Sequence, residues 1–155
     1  MIDMSARIIP FKSIGNISLN DNISNYLEDM YSEFNVEVKE YIIPFPFNEV
    51  NIAYILDGTL RISTTQDGEI IGVGCNENYK GRYNNTLYPG ITMGDLIALT
   101  TSQRILNGTI IVNDNYGMSF TLPSPYDEIA DYIEHIPHDV KLNEIYISDY
   151  SDWAA

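Results

Sequence analysis

Apolar positions in residues 22–34 recur at helical spacing. The stripe consists of Ile23, Leu27, Met30 and Phe34. Such a stripe is typical of a helix that buries one face. Asn20 or Asp21 comes shortly before it, and either side chain is a favourable N-cap. The pattern therefore predicts a helix over about residues 22–34.

The following residues form shorter apolar runs that are typical of strands. VEVKEYIIPFPF is predicted to be extended, and Pro44 and Pro46 place it at a sheet edge or in a polyproline-like stretch because proline lacks an amide donor. VNIAYIL, TLRIST and EIIGVGC follow, separated by two Asp-Gly dipeptides. Glycine accepts the positive φ of tight hairpin turns, so these dipeptides predict a three-stranded antiparallel meander.

The second half of the chain repeats this order. PGITMGDLI at 89–97 resembles GNISLNDNI at 15–23 when one is shifted by 74 positions, and EIIGV corresponds to NEIYI at the same offset. A weaker helix over about 94–105 and the strands GTIIVND and MSFTL lie between. We predict a single domain over 1–155 with internal repeats at about 14–75 and 88–150, joined by the connection 76–88.

These elements predict the fold class. A helix with one small meander cannot bury both faces of its sheet alone, so two such units are expected to combine. We predict an α+β fold in which two similar helix-plus-antiparallel-meander repeats form one antiparallel sheet, or two packed sheets, with helices on a face.

One inserted segment, LPSPYDEIADYIEHIP, carries the features of a helix start. Ser124 is predicted to cap it, Pro125 fits the first helical position, and Asp127 completes a Ser-x-x-Asp capping pattern. The predicted buried stripe is Ile129, Ile133 and Ile136. The predicted solvent side is Asp127, Asp131, Tyr132 and Glu134.

Charge narrows the classes of partner. Eight basic residues against 22 acidic ones give a net charge of −14 at pH 7. That field repels nucleic acid and anionic membranes and attracts cationic proteins, although solubility alone is an alternative explanation. The N-terminal MIDMSARIIPFK lacks the features of a secretory signal, and no run of 18 apolar residues is present, so a cytoplasmic location is expected.

Specific support for catalysis is lacking in the sequence. His135 and His138 form a His-x-x-His pair, but Pro137 interrupts any helix between them and no third ligand is nearby. Cys75 lies in the apolar stretch IIGVGC, which favours a buried packing residue over a nucleophile. We interpret the chain as a non-enzymatic protein without a cofactor or metal.

Aromatic and acidic residues together indicate a protein-binding surface. The chain has 12 tyrosines, and tyrosine and tryptophan dominate binding hot spots because they supply large, stiff contact area. Neighbouring carboxylates add charge complementarity for a basic partner. The predicted partner-binding residues are Tyr126, Asp127, Asp131, Tyr132, Glu134, Asp149, Asp152 and Trp153.

The repeated opening, GNISLNDNI and then PGITMGDLI, each followed by a helix and a meander, resembles small immunity proteins of bacterial contact-dependent growth inhibition. The architecture is also similar to two-repeat protein inhibitors such as β-lactamase inhibitory protein. The resemblance implies an acidic cytoplasmic immunity protein that binds and neutralises a cognate basic toxin domain, commonly a nuclease.

Two other classes stay open at this point. A small-molecule-binding module requires a sizeable apolar pocket between the sheet and the helices. An enzyme of unrecognised type requires a cleft with convergent titratable groups, for which Cys75, His135 and His138 are the first candidates.

Overall fold

A computed structural model describes residues 1–44, 46 and 48–154. In these residues the fold is α+β, with three α-helices, an eight-stranded antiparallel sheet and a separate two-stranded sheet. The helices are α1 Leu27–Glu33, α2 Met93–Leu99 and α3 Tyr126–Ile129. The strands are β1 Ser13–Ile14, β2 Ile17–Ser18, β3 Val36–Ile43, β4 Glu49–Leu56, β5 Leu60–Thr64, β6 Ile70–Asn76, β7 Gln103–Leu106, β8 Thr109–Val112, β9 Met118–Thr121 and β10 Glu144–Ile147. No helix in the described part of the chain is long and apolar enough to cross a membrane.

The large sheet joins two meanders at its centre. Its strand order is β3-β4-β5-β6-β10-β9-β8-β7, and every neighbouring pair is antiparallel. Each half contributes four strands that follow a helix, and β6 pairs with β10 where the halves meet. The predicted meander and the edge position of β3 are confirmed. The part of that prediction at Phe45 and Phe47 lies outside the described residues.

One row of paired apolar residues crosses all eight strands and forms part of the hydrophobic core. The row is Val36, Leu56, Leu60, Cys75, Ile145, Phe120, Ile110 and Ile105. Its six central members are buried, and Met30 of α1 with Met93 and Leu96 of α2 belong to the same apolar cluster. Burying a side chain of this size contributes roughly 1.5–3 kcal/mol, so this face fixes both helices on one side of the sheet.

The opposite face of the sheet is more polar. One row there consists of Glu37, Ile55, Arg61, Gly74, Tyr146 and Ser119. Side chains alternate between the two faces along a strand, so this row lies one residue out of step with the core row. The C-terminal tail contacts this face, because the Ser119 hydroxyl lies 3.1 Å from the Tyr150 hydroxyl.

The first helix begins later than predicted. A 3₁₀ turn covers Ile23–Asn25, α1 follows, and the N-cap of the turn is Asn22, whose side chain accepts from the Ser24 N–H at 3.0 Å. Asn20 cannot take this role because its backbone has a φ of 68°. The carbonyl of Asp21 instead accepts from the Ile70 N–H, which ties this segment to β6.

The second helix is shorter than predicted. A helix was expected over 94–105, but α2 ends at Leu99 and residues 103–106 form the edge strand β7. The side chain of Asn113 accepts from the backbone N–H groups of Thr101 and Ser102, at 2.8 and 3.2 Å. These bonds hold the chain in an extended connection and align β7 with β8.

The prediction of the inserted helix was wrong in its cap, its length and one member of its buried stripe, whereas Ile136 is buried and Ile133 is half-buried. Ser124 makes no capping bond, because the N–H groups of Tyr126 and Asp127 donate to the Pro123 carbonyl at 2.9 and 3.3 Å. The helix has four residues, and a 3₁₀ turn covers Ile133–His135. Ile129, predicted to be buried, is 61% exposed.

The different roles of Thr92 and Ser124 give a matched stability test. Thr92 caps α2 by accepting from the Asp95 N–H at 3.2 Å, whereas Ser124 has no such bond. We expect Thr92→Ala to lower the free energy of unfolding by about 1 kcal/mol and Ser124→Ala to change it by less than about 0.5 kcal/mol. Urea denaturation of both variants checks this, and equal losses would contradict the assignment of the caps.

Candidate partner-binding surface

Two adjoining depressions run along β7, and together we call them the β7 groove. Both are lined by Gln103, Ile133 and Glu134. The larger, of about 640 Å³, extends to Ile97, Ser102, Ile136, Pro137 and His138, and the smaller, of about 300 Å³, extends to Arg104, Ile105, Asp131 and Tyr132. The 3₁₀ turn at Ile133–His135 therefore forms one wall, and the edge of the sheet forms the other.

The β7 groove combines an apolar lining with acidic groups. Ile97, Ile133 and Ile136 supply the apolar part, while Asp131 and Glu134 are exposed. A long cationic side chain fits such a groove, because its aliphatic stem packs on isoleucine while its charged end meets a carboxylate. Tyr132, which is 66% exposed, adds an aromatic surface beside these groups.

The wall residues are held by contacts within their own turn. The rings of Tyr132 and His135 meet edge to face with their centroids 5.3 Å apart. The Asp131 N–H donates to Nδ1 of His135 at 3.3 Å. These contacts restrict the aromatic side chain before a partner arrives, which reduces the entropy lost on binding.

Arg104 links the β7 groove to the C-terminal tail. Its guanidinium donates to the Tyr116 hydroxyl at 2.9 Å, and the Tyr116 carbonyl accepts from the Tyr150 N–H at 2.8 Å. Tyr150 stacks on Trp153 with a centroid distance of 4.7 Å and an interplanar angle of 32°. The tail is thus attached to the same end of the sheet as the groove.

The tail is also ordered by its own acidic side chain. Asp149 accepts from the N–H and the hydroxyl of Ser151, at 3.0 and 2.5 Å. These two bonds hold the pKa of the Asp149 carboxyl below its ordinary value.

The eight predicted residues fall into three groups. Asp131, Tyr132 and Glu134 line the β7 groove. Tyr126 and Asp127 lie in α3, which packs closely on the turn between β7 and β8. A Cβ atom added to Gly108 in that turn would lie only 2.8 Å from the Asp127 carbonyl oxygen. Asp149, Asp152 and Trp153 lie in the tail. Tyr126 and Trp153 are half-buried, and the other six are exposed.

Sequence reasoning missed the residues that connect these groups. Gln103 and Arg104 were assigned to the end of a helix, and Tyr116 was not singled out. Arg104 contacts Tyr116 because β7 and β8 pair antiparallel. The alternation of polar and apolar side chains in QRIL at 103–106 is the one local signal of a strand, and four residues are few for recognising it.

Most acidic side chains are available to a partner. In residues 1–44, 46 and 48–154 the ion pairs are the N-terminus with Asp29, at 3.9 Å, and Lys39 with Glu37, at 3.4 Å. All four groups are more than 40% exposed. Exposed pairs contribute little to stability, so the acidic composition is not explained by internal ion pairing.

Of the three residues first considered for catalysis, Cys75 lies apart from the two histidines. Cys75 is buried in β6, and burial raises the pKa of its thiol well above the ordinary value. His138 lines the larger depression, and His135 contacts Tyr132. In the described residues no group of three or more His, Cys, Asp or Glu side chains is placed to hold a metal ion.

Buried tyrosines predict a loss of stability at alkaline pH. Burial raises the pKa values of Tyr79, Tyr146 and Tyr150, and the negative charge of Glu144 raises that of Tyr146 further. The folded state therefore holds these protons more tightly than the unfolded chain, in which the tyrosine pKa is about 10. This contribution is complete below pH of about 10 and is lost as pH rises above it.

We expect the urea midpoint to fall steadily between pH of about 9 and 11 and the fall to be shallower in Tyr146→Phe. Unfolding curves followed by circular dichroism at several pH values give the midpoints. A midpoint that does not change over this range would contradict the burial of these hydroxyl groups.

Comparison of the chain with protein-family models, with curated proteins and with solved structures finds no match in any of the three. Function is therefore inferred from the shape, chemistry and charge of the surface.

Proposed function

We propose that the chain is a non-catalytic immunity protein of the cytoplasm, which binds and neutralises a cognate basic toxin domain, commonly a nuclease, by protein–protein contact. The observation that carries this proposal is the β7 groove, where exposed Asp131 and Glu134 stand beside exposed Tyr132 and an apolar lining. The net charge of −14 supports it, because it favours encounter with a cationic protein.

The chemistry of the two partners is complementary. A nuclease binds phosphate groups with lysine and arginine side chains, and those side chains are free when no nucleic acid is bound. Carboxylates at the β7 groove can occupy the phosphate positions, while the cationic stems pack on the half-buried Ile97 and Ile133. Tyr132 and Trp153 provide aromatic anchors of the kind that dominate binding energy.

The tail enlarges the surface that a partner can contact. A specific interface buries about 800 Å² on each partner, which exceeds the area of a single groove. The contacts from Arg104 through Tyr116 to Tyr150 attach the tail beside the groove. We therefore propose that the groove and the tail form one surface.

We also propose that the two halves are repeats of one unit. Three backbone hydrogen bonds recur in both halves. They join the residues at the start of each helical segment to the residues at or just before the start of the last strand of that half. In the first half they run from Asn20 to Ile70, from Ile70 to Asp21 and from Ile23 to Gly68, and in the second from Gly90 to Leu142, from Leu142 to Ile91 and from Met93 to Val140. This correspondence pairs Gly90 with Asn20, whereas the sequence comparison paired it with Asn16. The number of residues between matching positions is therefore not a constant 74, because short insertions change it along the chain.

Growth protection tests the proposed function. The probe is the basic C-terminal domain of the large secreted protein that we expect to be encoded directly upstream, expressed with and without this chain. We expect that domain to arrest growth and this chain to restore it. If the chain binds no such domain and gives no protection, the proposal is wrong.

Truncation of single side chains tests the surface. We expect Asp131→Ala and Trp153→Ala each to weaken binding of the domain about tenfold, because each removes a charged or aromatic contact worth more than about 1 kcal/mol. Glu28→Ala on the exposed side of α1 is the matched control and is expected to leave the dissociation constant within a factor of about two. Calorimetric titration measures all three, and unchanged affinity for both groove and tail variants would remove this surface from the proposal.

A further inference from the structure

The two edges of the large sheet differ. β7 has four residues, and the 3₁₀ turn at Ile133–His135 lies beside it. β3 has eight residues and is paired with β4 alone. Nothing in residues 1–44, 46 and 48–154 pairs with its outer side. A long, regular, uncovered edge strand is a ready template for pairing with another strand.

The hydrogen-bond phase shows which residues of β3 face outward. The Asp57 N–H donates to the Asn35 carbonyl at 2.9 Å, so every second residue from Asn35 onward bonds to β4. The residues between them direct their N–H and C=O groups to the free side. These are Val36, Val38, Glu40 and Ile42.

The same residues expose apolar surface. Val38 is 48% and Ile42 is 71% exposed, and their side chains lie on the face that carries the core row. The seven-residue helix α1 buries Met30 in the core and leaves Val38 and Ile42 exposed. An added strand would satisfy the free backbone groups and cover the Val38 side chain.

We propose that β3 pairs antiparallel with β3 of a second copy of this chain, across a twofold axis at Val38. A twofold axis perpendicular to the sheet leaves every side chain on its own face, so a residue can lie opposite only residues of the same face. One residue of β3 must therefore lie opposite its own copy at the axis, which limits the number of possible registers. Centring on Glu37, Lys39 or Glu40 places like charges directly opposite each other. Centring on Val38 places Glu37 opposite Lys39 twice and Val38 opposite itself.

Charge complementarity therefore selects this register and a second copy as the occupant. Lys39 is the only basic residue in 13–60, and it lies on the same face of β3 as Glu37, 3.4 Å from that carboxylate. Opposite charges across a strand pair are favourable, and like charges there are unfavourable. The general repulsion between two chains of net charge −14 is screened beyond about 8 Å at physiological salt.

The dimer leaves the partner-binding surface free. The β7 groove lies at the opposite end of the strand order, so a pair of chains presents two grooves, one at each end. Self-association does not depend on the proposed function, and the purified chain alone is enough to test it.

Sedimentation equilibrium at about 0.15 M salt, over chain concentrations from about 1 to 300 µM, tests the dimer. We expect a monomer–dimer equilibrium, and we expect Glu37→Lys and Lys39→Glu each to raise the dimer dissociation constant at least tenfold. The double variant Glu37→Lys/Lys39→Glu restores the opposite-charge pairs and is expected to return within about threefold of the original constant. The two single variants change net charge in opposite directions, so a general charge effect cannot produce this result.

Two further variants locate the interface. Val38→Pro removes an outward N–H without removing a bond to β4, and it is expected to abolish the dimer while the far-ultraviolet circular dichroism stays unchanged. Arg104→Glu makes the same charge change as Lys39→Glu at the other edge strand and is expected to leave the dimer intact. A chain that is monomeric at every concentration, a dimer insensitive to both single charge variants, or a double variant that stays as weak as they are would overturn the proposal.

Discussion

Gly74→Ala is expected to lower the free energy of unfolding by about 2–3 kcal/mol, because the added methyl group enters the ring of Tyr146 at the centre of the sheet. Gly74 and Tyr146 oppose each other where β6 pairs with β10. A Cβ built on Gly74 lies 2.2–2.6 Å from three atoms of that ring. Tyr146 is packed between the two meanders. Relief of the overlap therefore requires that its ring adopt a new rotamer or that β6 and β10 move apart.

Gly72 is the matched control for this substitution. It lies on the same strand and the same face, and a Cβ there meets its nearest atom, the Ile147 carbonyl oxygen, at an ordinary 3.5 Å. We expect Gly72→Ala to change stability by less than about 1 kcal/mol. In the background Tyr146→Ala, the effect of Gly74→Ala is expected to shrink by more than half. Equal losses of stability for Gly72→Ala and Gly74→Ala in urea denaturation would contradict the close packing of the Tyr146 ring on Gly74.

Charge reversal at the β7 groove is expected to have the largest effect on partner binding. Glu134 lines both depressions, so Glu134→Lys places a cation where we propose that a lysine or arginine of the partner binds. We expect the dissociation constant for the basic domain to rise at least 30-fold, which corresponds to about 2 kcal/mol. Calorimetric titration at about 0.15 M salt measures this change.

Glu28→Lys is the control for the charge change. It alters net charge equally, but Glu28 is exposed on α1, away from the residues that line the groove. We expect a change of less than about threefold, arising from the weaker overall field. If both variants weaken binding equally, the partner responds to net charge alone and the groove has no special role.

Local chemistry made the hairpins of the first half predictable from sequence. Gly58 and Gly68 have φ values of 61° and 88°, which glycine adopts at low cost, and each follows an aspartate at the end of an apolar run. The backbone conformation of these turns is set by the residues themselves. The strands on either side then pair in sequence order, which needs no distant information.

Distant contacts decided the segments that sequence reasoning assigned wrongly. The residues of β7 were placed at the end of a helix, whereas their pairing with β8 makes them extended and the side chain of Asn113 holds the residues just before them. Ser124 has a favourable capping sequence, but the Pro123 carbonyl already accepts the N–H groups that a cap would bind. Neither competitor is visible in the local pattern.

The candidate surface was predictable in composition but not in arrangement. The acidic and aromatic residues of 126–134 and of the tail stand out in the sequence, and Asp131, Tyr132 and Glu134 do line one groove. Their relation to the tail depends on Arg104 and Tyr116, which meet only because β7 and β8 are neighbours. The repeat that we propose likewise rests on backbone hydrogen bonds, which the sequence pattern does not show.

Hydrogen–deuterium exchange of the chain with and without the basic toxin domain tests the central claim most directly. Amide exchange slows where a partner excludes water or stabilises a local element. The account predicts slower exchange in peptides covering 101–108 and 126–138, with a smaller effect in 148–154. Slowing confined to other parts of the chain, with exchange in those segments unchanged while the domain is bound, would contradict it.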